Sequence, residues 1–200
     1  MVETTSNDFS LDALRAGDKA EFARLVDTYS TPIYRLTLRM LADPQDAEDA
    51  LQATFLKAFQ HISEFEGRSS LSTWLYRIAA NEALMQLRRR RPELQLDEEP
   101  EKDEALPRPF QFADWSRLPE PELLSTETKE QFERAIRKLP EKLRIVFLLR
   151  DMQGLSIKET SEALNLTETA VKTRLLRARL NLREELSTYF AERLSDEERQ

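Results

Sequence analysis

The chain has 200 residues, of which 40% are hydrophobic and 34% charged, and its formal net charge is -7. This length suits one or two small domains, and the hydrophobic content excludes a chain that is disordered throughout. The absence of cysteine excludes disulfide frameworks and thiolate metal sites. Because glycine is scarce while Ala, Leu, Glu and Arg are abundant, the composition predicts an all-α protein.

The N-terminal segment, residues 1–10, is polar and acidic and has no apolar stretch typical of a signal peptide. No apolar run along the chain approaches the roughly 18 residues that a membrane span requires. We therefore expect a soluble, cytoplasmic protein that does not insert into a membrane.

The first helical block is predicted from about Asp8 to Arg91. Within it, Asp43 and Pro44 combine a helix N-cap with a residue favoured at the first helical position. The residues of the following helix expected to face inward are Leu51, Phe55, Ala58 and Ile62. Its other side presents Asp46, Asp49 and Gln52. These polar residues are candidates for a binding surface, but acids in a first turn also favour the helix dipole.

A polar loop, Glu66-Gly67-Arg68-Ser69-Ser70, precedes the last helix of this block, and that helix runs to four arginines, Arg88–Arg91. Trp74, Tyr76 and Arg77 lie close to the loop in sequence. Capture of unstacked bases requires an aromatic face with hydrogen-bond donors nearby, and arginines can contact phosphates. A core tryptophan and a solvated helix end are the structural alternatives.

A segment of different composition, residues 92–122, separates the two helical blocks. Six prolines between residues 92 and 121 forbid a long helix, and six acids lie within residues 97–104. This composition predicts a flexible linker. The aromatic residues Phe110, Phe112 and Trp115 interrupt its polarity, and the sequence leaves open whether they contact this protein or a partner.

The second helical block is predicted at residues 123–187, followed by a C-terminal tail, 188–200. Ser156 and Glu159 have the spacing of a capping box. After a two-residue turn, Thr167 can cap the next helix. Helix, short turn and helix form the helix-turn-helix pattern, so we expect a four-helix domain that contains this motif.

The last predicted helix separates an apolar stripe from a polar face. The apolar stripe recurs at helical spacing and consists of Val171, Leu175, Ala178 and Leu182. The opposite face carries Thr169, Thr173, Leu176 and Arg177, flanked by Lys172. Residues 167–183 contain one acid and five basic residues, Lys172, Arg174, Arg177, Arg179 and Arg183. A recognition helix needs such a face, although an ordinary amphipathic helix also has a charged side.

Three parts of the chain resemble the extracytoplasmic-function (ECF) sigma factors of RNA polymerase, a group within the sigma-70 family. Residues 46–55, DAEDALQATF, are similar to their polymerase-binding helix. Residues 70–81, SLSTWLYRIAAN, are similar to the helix that melts promoters and reads the minus-ten element. Residues 139–147, 154–156 and 170–179 are similar to their minus-thirty-five domain. The similarity covers nearly all of both helical blocks.

This resemblance implies a sigma factor that is not an enzyme and needs no cofactor, with region 2 at residues 8–91 and region 4 at 123–187. The implied partners are core RNA polymerase, duplex and melted promoter DNA, and an anti-sigma factor. The helix with Asp46, Asp49 and Gln52 would dock on the clamp helices of the largest polymerase subunit. The residues implied at the melted minus-ten element are Arg68, Ser69, Ser70, Thr73, Trp74, Tyr76, Arg77, Asn81 and Arg88. Those implied at the minus-thirty-five element are Thr169, Lys172, Thr173, Arg174, Leu176 and Arg177.

Two positions depart from the family pattern, and two other functional classes are alternatives. Ala53 stands where the family often has Glu, and Ala80 where a basic residue is common. A conventional helix-turn-helix repressor or activator would leave the whole first block unexplained. For a hydrolase or another enzyme, the sequence offers one histidine, His61, and clustered carboxylates in the linker that could hold a metal, but neither a cysteine nor a P-loop.

Overall fold

The computed structural model describes the backbone of residues 9–90 and 126–197 and the side chains of residues 9–90 and 128–187. The chain divides into two compact units, residues 1–92 and 93–200. All regular secondary structure in the described ranges is helical, which confirms the all-α prediction. The predicted linker, with Phe110, Phe112 and Trp115, lies outside the described residues.

The described part of the first unit, residues 9–90, is a helical bundle. Its elements are α1 (Leu11–Arg15), α2 (Lys19–Leu41), α3 (Pro44–His61), a 3-10 turn (Ile62–Glu64) and α4 (Leu71–Arg90). The predicted start of α3 is confirmed, because the Asp43 carboxylate accepts a hydrogen bond of 3.0 Å from the backbone of Asp46 and Pro44 opens the helix. Helices α2, α3 and α4 pack against one another around a shared core.

The core of this unit combines large residues of α2 with small residues of α3. The buried residues of α3 are Ala47, Ala50, Thr54 and Ala58. The predicted inward set was therefore partly wrong: Ala58 and Ile62 are buried, whereas Leu51 and Phe55 are only half-buried. Small side chains let the neighbouring helices approach α3 closely, so that Thr37 of α2 donates a hydrogen bond of 3.1 Å to the Ala47 carbonyl.

The described part of the second unit, residues 126–197, contains four α-helices. They are α5 (Thr126–Lys138), α6 (Glu141–Phe147), α7 (Ile157–Leu164) and α8 (Glu168–Glu197), and α6 continues into a π-helical turn, Leu148–Met152. Helix α8 extends into the segment assigned to a C-terminal tail and continues to Glu197. It spans 30 residues, yet no helix in the described part of the chain is long and apolar enough to cross a membrane.

The predicted helix-turn-helix is formed by α7, a short turn and α8. Both hydrogen bonds of the capping box are present, since Glu159 N donates to Ser156 Oγ at 3.1 Å and Ser156 N to Glu159 Oε2 at 2.8 Å. Asn165 ends α7 with φ of 53°, a left-handed conformation that asparagine tolerates. Thr167 Oγ1 then accepts a hydrogen bond of 3.1 Å from Ala170 N. These contacts fix the direction in which α8 begins.

Candidate nucleic-acid interfaces

One side of α4 carries four of the predicted residues in a single outward stripe. Trp74, Arg77, Asn81 and Arg88 follow one another at intervals that a helix places on one face. Asn81 and Arg88 are exposed, and Trp74 and Arg77 are half-buried. The opposite side of the helix is buried in the bundle. We call these four residues the α4 stripe; they combine an aromatic ring, an amide and two guanidinium groups.

Loop 66–70 lies at the N-terminal end of the α4 stripe. Ser70 caps α4, because its Oγ accepts a hydrogen bond of 3.1 Å from the backbone three residues later. The rings of Phe65 and Trp74 pack with centroids 5.2 Å apart, which holds Trp74 against the start of the loop. Arg68 is exposed and forms an ion pair of 2.5 Å with the exposed Glu66, while Ser69 is half-buried. The loop therefore presents polar groups beside Trp74.

Tyr76 was predicted with the α4 stripe but lies on another side of the helix, whereas Thr73 precedes Arg77 by four residues and lies at the edge of the stripe. Two residues correspond to a rotation of about 200°, so Tyr76 and Trp74 cannot share a face. Burial raises the pKa of Tyr76, and the nearby Tyr29 of α2 raises that pKa further. Burial also raises the pKa of Tyr29, an effect partly offset by its hydrogen bond to Ser72. Tyr76 is thus placed to support the bundle.

Helix α3 presents an exposed face that combines polar and apolar residues. Asp49, Gln52, Leu56 and Phe59 lie on one side of the helix, and we call them the α3 outer face. Leu56 is 60% exposed and Phe59 44% exposed, although both are large and apolar. The sequence-based prediction missed these two residues. Leu56 and Phe59 follow Asp49 at helical spacing, on a different side of α3 from the buried alanines. This spacing is the signal in the sequence that could have identified them.

Asp46, three residues before Asp49, lies at the edge of this face and is engaged within the unit. It is half-buried, and its carboxylate forms an ion pair with Arg90 at the end of α4. Arg90 also lies 3.9 Å from the carboxylate of Asp43. These contacts link the beginning of α3 to the arginine run, in which Arg88 and Arg89 remain exposed.

The outward side of α8 contains five of the six residues predicted to contact duplex DNA. The predicted apolar stripe is confirmed, because Val171, Leu175, Ala178 and Leu182 are buried. The other side carries what we call the α8 outward face, Thr169, Lys172, Thr173, Leu176 and Arg177. Of these, Thr169 and Lys172 are exposed and the others half-buried. Lys172 lies only 3.7 Å from Glu168, one turn earlier.

Arg174 is the sixth residue, and the structure contradicts its placement on the outward face. It is 2% exposed and lies on the core side of α8, because it follows the buried Val171 by three residues and precedes the buried Ala178 by four. Arg179 is also engaged within the unit: its guanidinium donates two hydrogen bonds of 2.8 Å to the two carboxylate oxygens of Asp151. Fewer basic side chains therefore lie on the outward side of α8 than the five basic residues of the segment 167–183 would predict.

The Asp151–Arg179 pair is expected to stabilise the helix-turn-helix unit. The Asp151 side chain is 7% exposed, and hydrogen bonds to charged groups stabilise proteins by about 1.5–3 kcal/mol each. We expect Asp151→Asn to lower the free energy of unfolding by about 1–3 kcal/mol, measured by urea denaturation. The control is Glu185→Gln, which removes the exposed ion pair with Lys138 and should have little effect. Equal losses in both variants would contradict this prediction.

His61, the only histidine of the sequence, is exposed at the end of α3. Its Nδ1 lies 3.2 Å from the carboxylate of Glu64, which is also exposed. Within residues 9–90 and 128–187, no group of three or more His, Asp or Glu side chains is arranged to hold a metal ion.

Comparison with known proteins gives consistent matches over both units. Residues 25–93 match the model for sigma-70 region 2, and residues 129–182 match that for sigma-70 region 4. The chain is 38% identical to the ECF RNA polymerase sigma factor SigW of Bacillus subtilis, over 86% of this chain and 92% of that protein. It is 32% identical to the ECF RNA polymerase sigma-E factor of Escherichia coli, over 90% of this chain and 93% of that protein.

Two solved structures have the same fold. One is CnrH in complex with the cytosolic domain of CnrY, with a TM-score of 0.59 and 21% identity over 89% of this chain and 95% of that one. The other is the sigma factor RpoE of Bartonella quintana in complex with the anti-sigma factor NepR, with a TM-score of 0.59 and 24% identity over 84% of this chain and 97% of that one.

Proposed function

Because this chain belongs to the ECF sigma factors of the sigma-70 family, we propose that the α4 stripe, the α3 outer face and the α8 outward face divide the binding tasks of a sigma factor. The protein directs promoter-specific initiation of transcription by RNA polymerase. The main observation in support of this division is that the α4 stripe and the helix-turn-helix lie on different units. In this proposal the protein acts by binding alone, and the polymerase supplies the chemistry.

The α4 stripe and loop 66–70 bind the melted minus-ten element. Trp74 is half-exposed and held by Phe65 on one side, so its ring can stack with an unpaired base. Arg68 and Arg88 are exposed cations at the two ends of this surface, suited to backbone phosphates. Asn81 lies between Arg77 and Arg88 and offers an amide to a base edge. Tyr76 contributes by supporting α4, and Thr73 lies beside Arg77 at the edge of the stripe.

The α3 outer face docks on the clamp helices of the largest polymerase subunit. Stable protein interfaces combine an apolar centre with polar groups that fix the register. Leu56 and Phe59 provide the apolar part, and Asp49 and Gln52 the polar part. Asp46 acts indirectly, because its ion pair with Arg90 ties the beginning of α3 to α4.

The α8 outward face reads the minus-thirty-five element in the major groove. Lys172 and Arg177 suit phosphates or guanine edges, and the Leu176 side chain suits a thymine methyl group. The turn before α8 fixes the direction of the helix, so these side chains enter the groove together. Arg174 is excluded from this contact by its burial.

An anti-sigma factor is proposed as a further partner, which covers the α3 outer face and so excludes the polymerase. The exposed Leu56 and Phe59 support this, because apolar side chains at the surface favour a protein partner. The test is competition: an anti-sigma factor purified with this protein should displace it from core polymerase. A bound inhibitor that left polymerase association unchanged would contradict the proposal.

Run-off transcription with purified core RNA polymerase and a library of promoter sequences tests the function. We expect RNA only when this protein is present, and only from templates that share two sequence elements at a fixed separation. The proposal fails if the protein neither binds core polymerase nor starts RNA chains with it.

Gel-shift experiments on duplex DNA separate this function from that of a conventional repressor. We expect a stable, sequence-specific complex with core polymerase present and little specific binding without it. A repressor would bind its site as tightly in the absence of polymerase.

A further inference from the structure

Arg15, at the end of α1, holds the peptide group that begins loop 66–70. Its guanidinium donates two hydrogen bonds to the Phe65 carbonyl oxygen, of 3.1 Å from Nε and 2.7 Å from Nη2. Both hydrogen bonds are partly buried and link residues 50 positions apart in the chain. Helix α1 is itself anchored, because Leu14 is 1% exposed and Ser10 caps the helix.

The two ends of loop 66–70 are therefore held by different elements. Arg15 holds the carbonyl of Phe65, and Ser70 is held by its role as the cap of α4. Between them, Gly67 turns the chain with φ of 75°, a conformation that favours glycine. A loop whose ends are fixed loses less conformational entropy when it binds a ligand than a loop with mobile ends.

We propose that Arg15 is a positioning residue for recognition of the melted minus-ten element. It holds Phe65, and through Phe65 both the start of the loop and the Trp74 ring, without contacting DNA itself. This inference rests on the function proposed above for loop 66–70 and the α4 stripe. The guanidinium suits the role because two of its N–H groups reach one carbonyl oxygen, whereas a lysine ammonium offers a single centre.

The test compares Arg15→Ala with Arg15→Lys and with Arg24→Ala as a matched control. Arg24 lies on α2, pairs with Glu21 at 2.6 Å and lies over the Phe9 ring. Run-off transcription is measured on one promoter with an intact minus-ten element and on a second with that element substituted. We expect Arg15→Ala to reduce the ratio of the two activities about fivefold to tenfold, within the range of the net contribution of one intramolecular hydrogen bond.

Two further variants and one further measurement separate positioning from general stability. Arg15→Lys should give an intermediate ratio, and Arg24→Ala the wild-type ratio, while affinity for core polymerase stays the same in all variants. Trp74 and Trp115 are the two tryptophans, so Trp115→Phe leaves Trp74 as the only tryptophan, whose fluorescence can be excited selectively over that of the tyrosines. In that background, Arg15→Ala should increase quenching of Trp74 by acrylamide, because Phe65 is held less firmly.

Each result has a defined meaning. An unchanged promoter ratio in Arg15→Ala, with wild-type transcription intact, would overturn the role of Arg15 and leave the proposed function standing. If Arg15→Ala does not fold, Arg15→Lys decides, and a wild-type ratio and wild-type Trp74 quenching in that variant would overturn the inference. Failure of the wild-type protein to distinguish the two promoters would instead contradict the proposed function of loop 66–70.

Discussion

Asp49→Lys is expected to weaken association with core RNA polymerase by roughly thirtyfold, which is the effect of losing a central interface contact of about 2 kcal/mol. Asp49 is exposed on the α3 outer face beside Gln52, where the structure provides it with no role in the bundle core. A lysine there reverses the charge that the polymerase would meet. Affinity is measured by titrating labelled protein with core enzyme at a fixed salt concentration.

The matched control is Asp27→Lys, which makes the same change in net charge at an exposed carboxylate of α2. It should leave the affinity for core polymerase close to the wild-type value. Because neither Asp49 nor Asp27 is buried, both variants should keep the wild-type melting temperature. An Asp49→Lys protein that binds core enzyme as tightly as the Asp27→Lys protein would exclude the α3 outer face as the docking surface.

Local signals in the sequence predicted where helices begin. Asp43 with Pro44 and Ser156 with Glu159 cap helices as their spacing indicates. The reason is physical: the first backbone N–H groups of a helix need acceptors, and only a few side chains can provide them. The composition predicted the all-α fold, and these caps, together with the apolar stripe of α8, predicted the helix-turn-helix.

The side of a helix that faces the core was harder to predict. On α3 the sequence favoured Leu51 and Phe55 as core residues because they are large and apolar. The structure instead fully buries the small residues Ala47, Ala50 and Ala58. Close packing of three helices selects small side chains at the contact. Which helices come into close contact depends on the whole bundle. The hydrophobicity of one helix therefore does not determine which of its sides is buried. The exposed Leu56 and Phe59 were missed for the same reason.

Ion pairs also escaped the sequence-based prediction, because they join residues far apart in the chain. Asp46 pairs with Arg90, and Arg179 with Asp151. Each pair removes a charged side chain from a surface to which the sequence assigned it. Arg174 differs, because the helical spacing from Val171 and Ala178 already indicates burial, and its charge alone placed it with the DNA contacts.

Arg177→Ala is expected to reduce initiation about tenfold to a hundredfold at promoters that depend on the minus-thirty-five element, because a base contact by arginine is worth about 1–3 kcal/mol. Initiation at promoters that function without this element should change little, since we propose that the first unit binds the minus-ten element and the polymerase. Affinity for core polymerase should also be unchanged. Run-off transcription on paired templates, with and without the upstream element, measures the difference.

Specificity at single base pairs distinguishes a base contact by Arg177 from a general loss of charge. If Arg177 reads one base pair, substitution of that pair should reduce initiation by the wild-type protein but have little further effect on Arg177→Ala. The control is Arg134→Ala, which removes an exposed arginine of α5 in the same unit and should keep the wild-type response at every position. A uniform loss at all positions would assign Arg177 to phosphate contact, and a parallel loss of core binding would contradict its role on the α8 outward face.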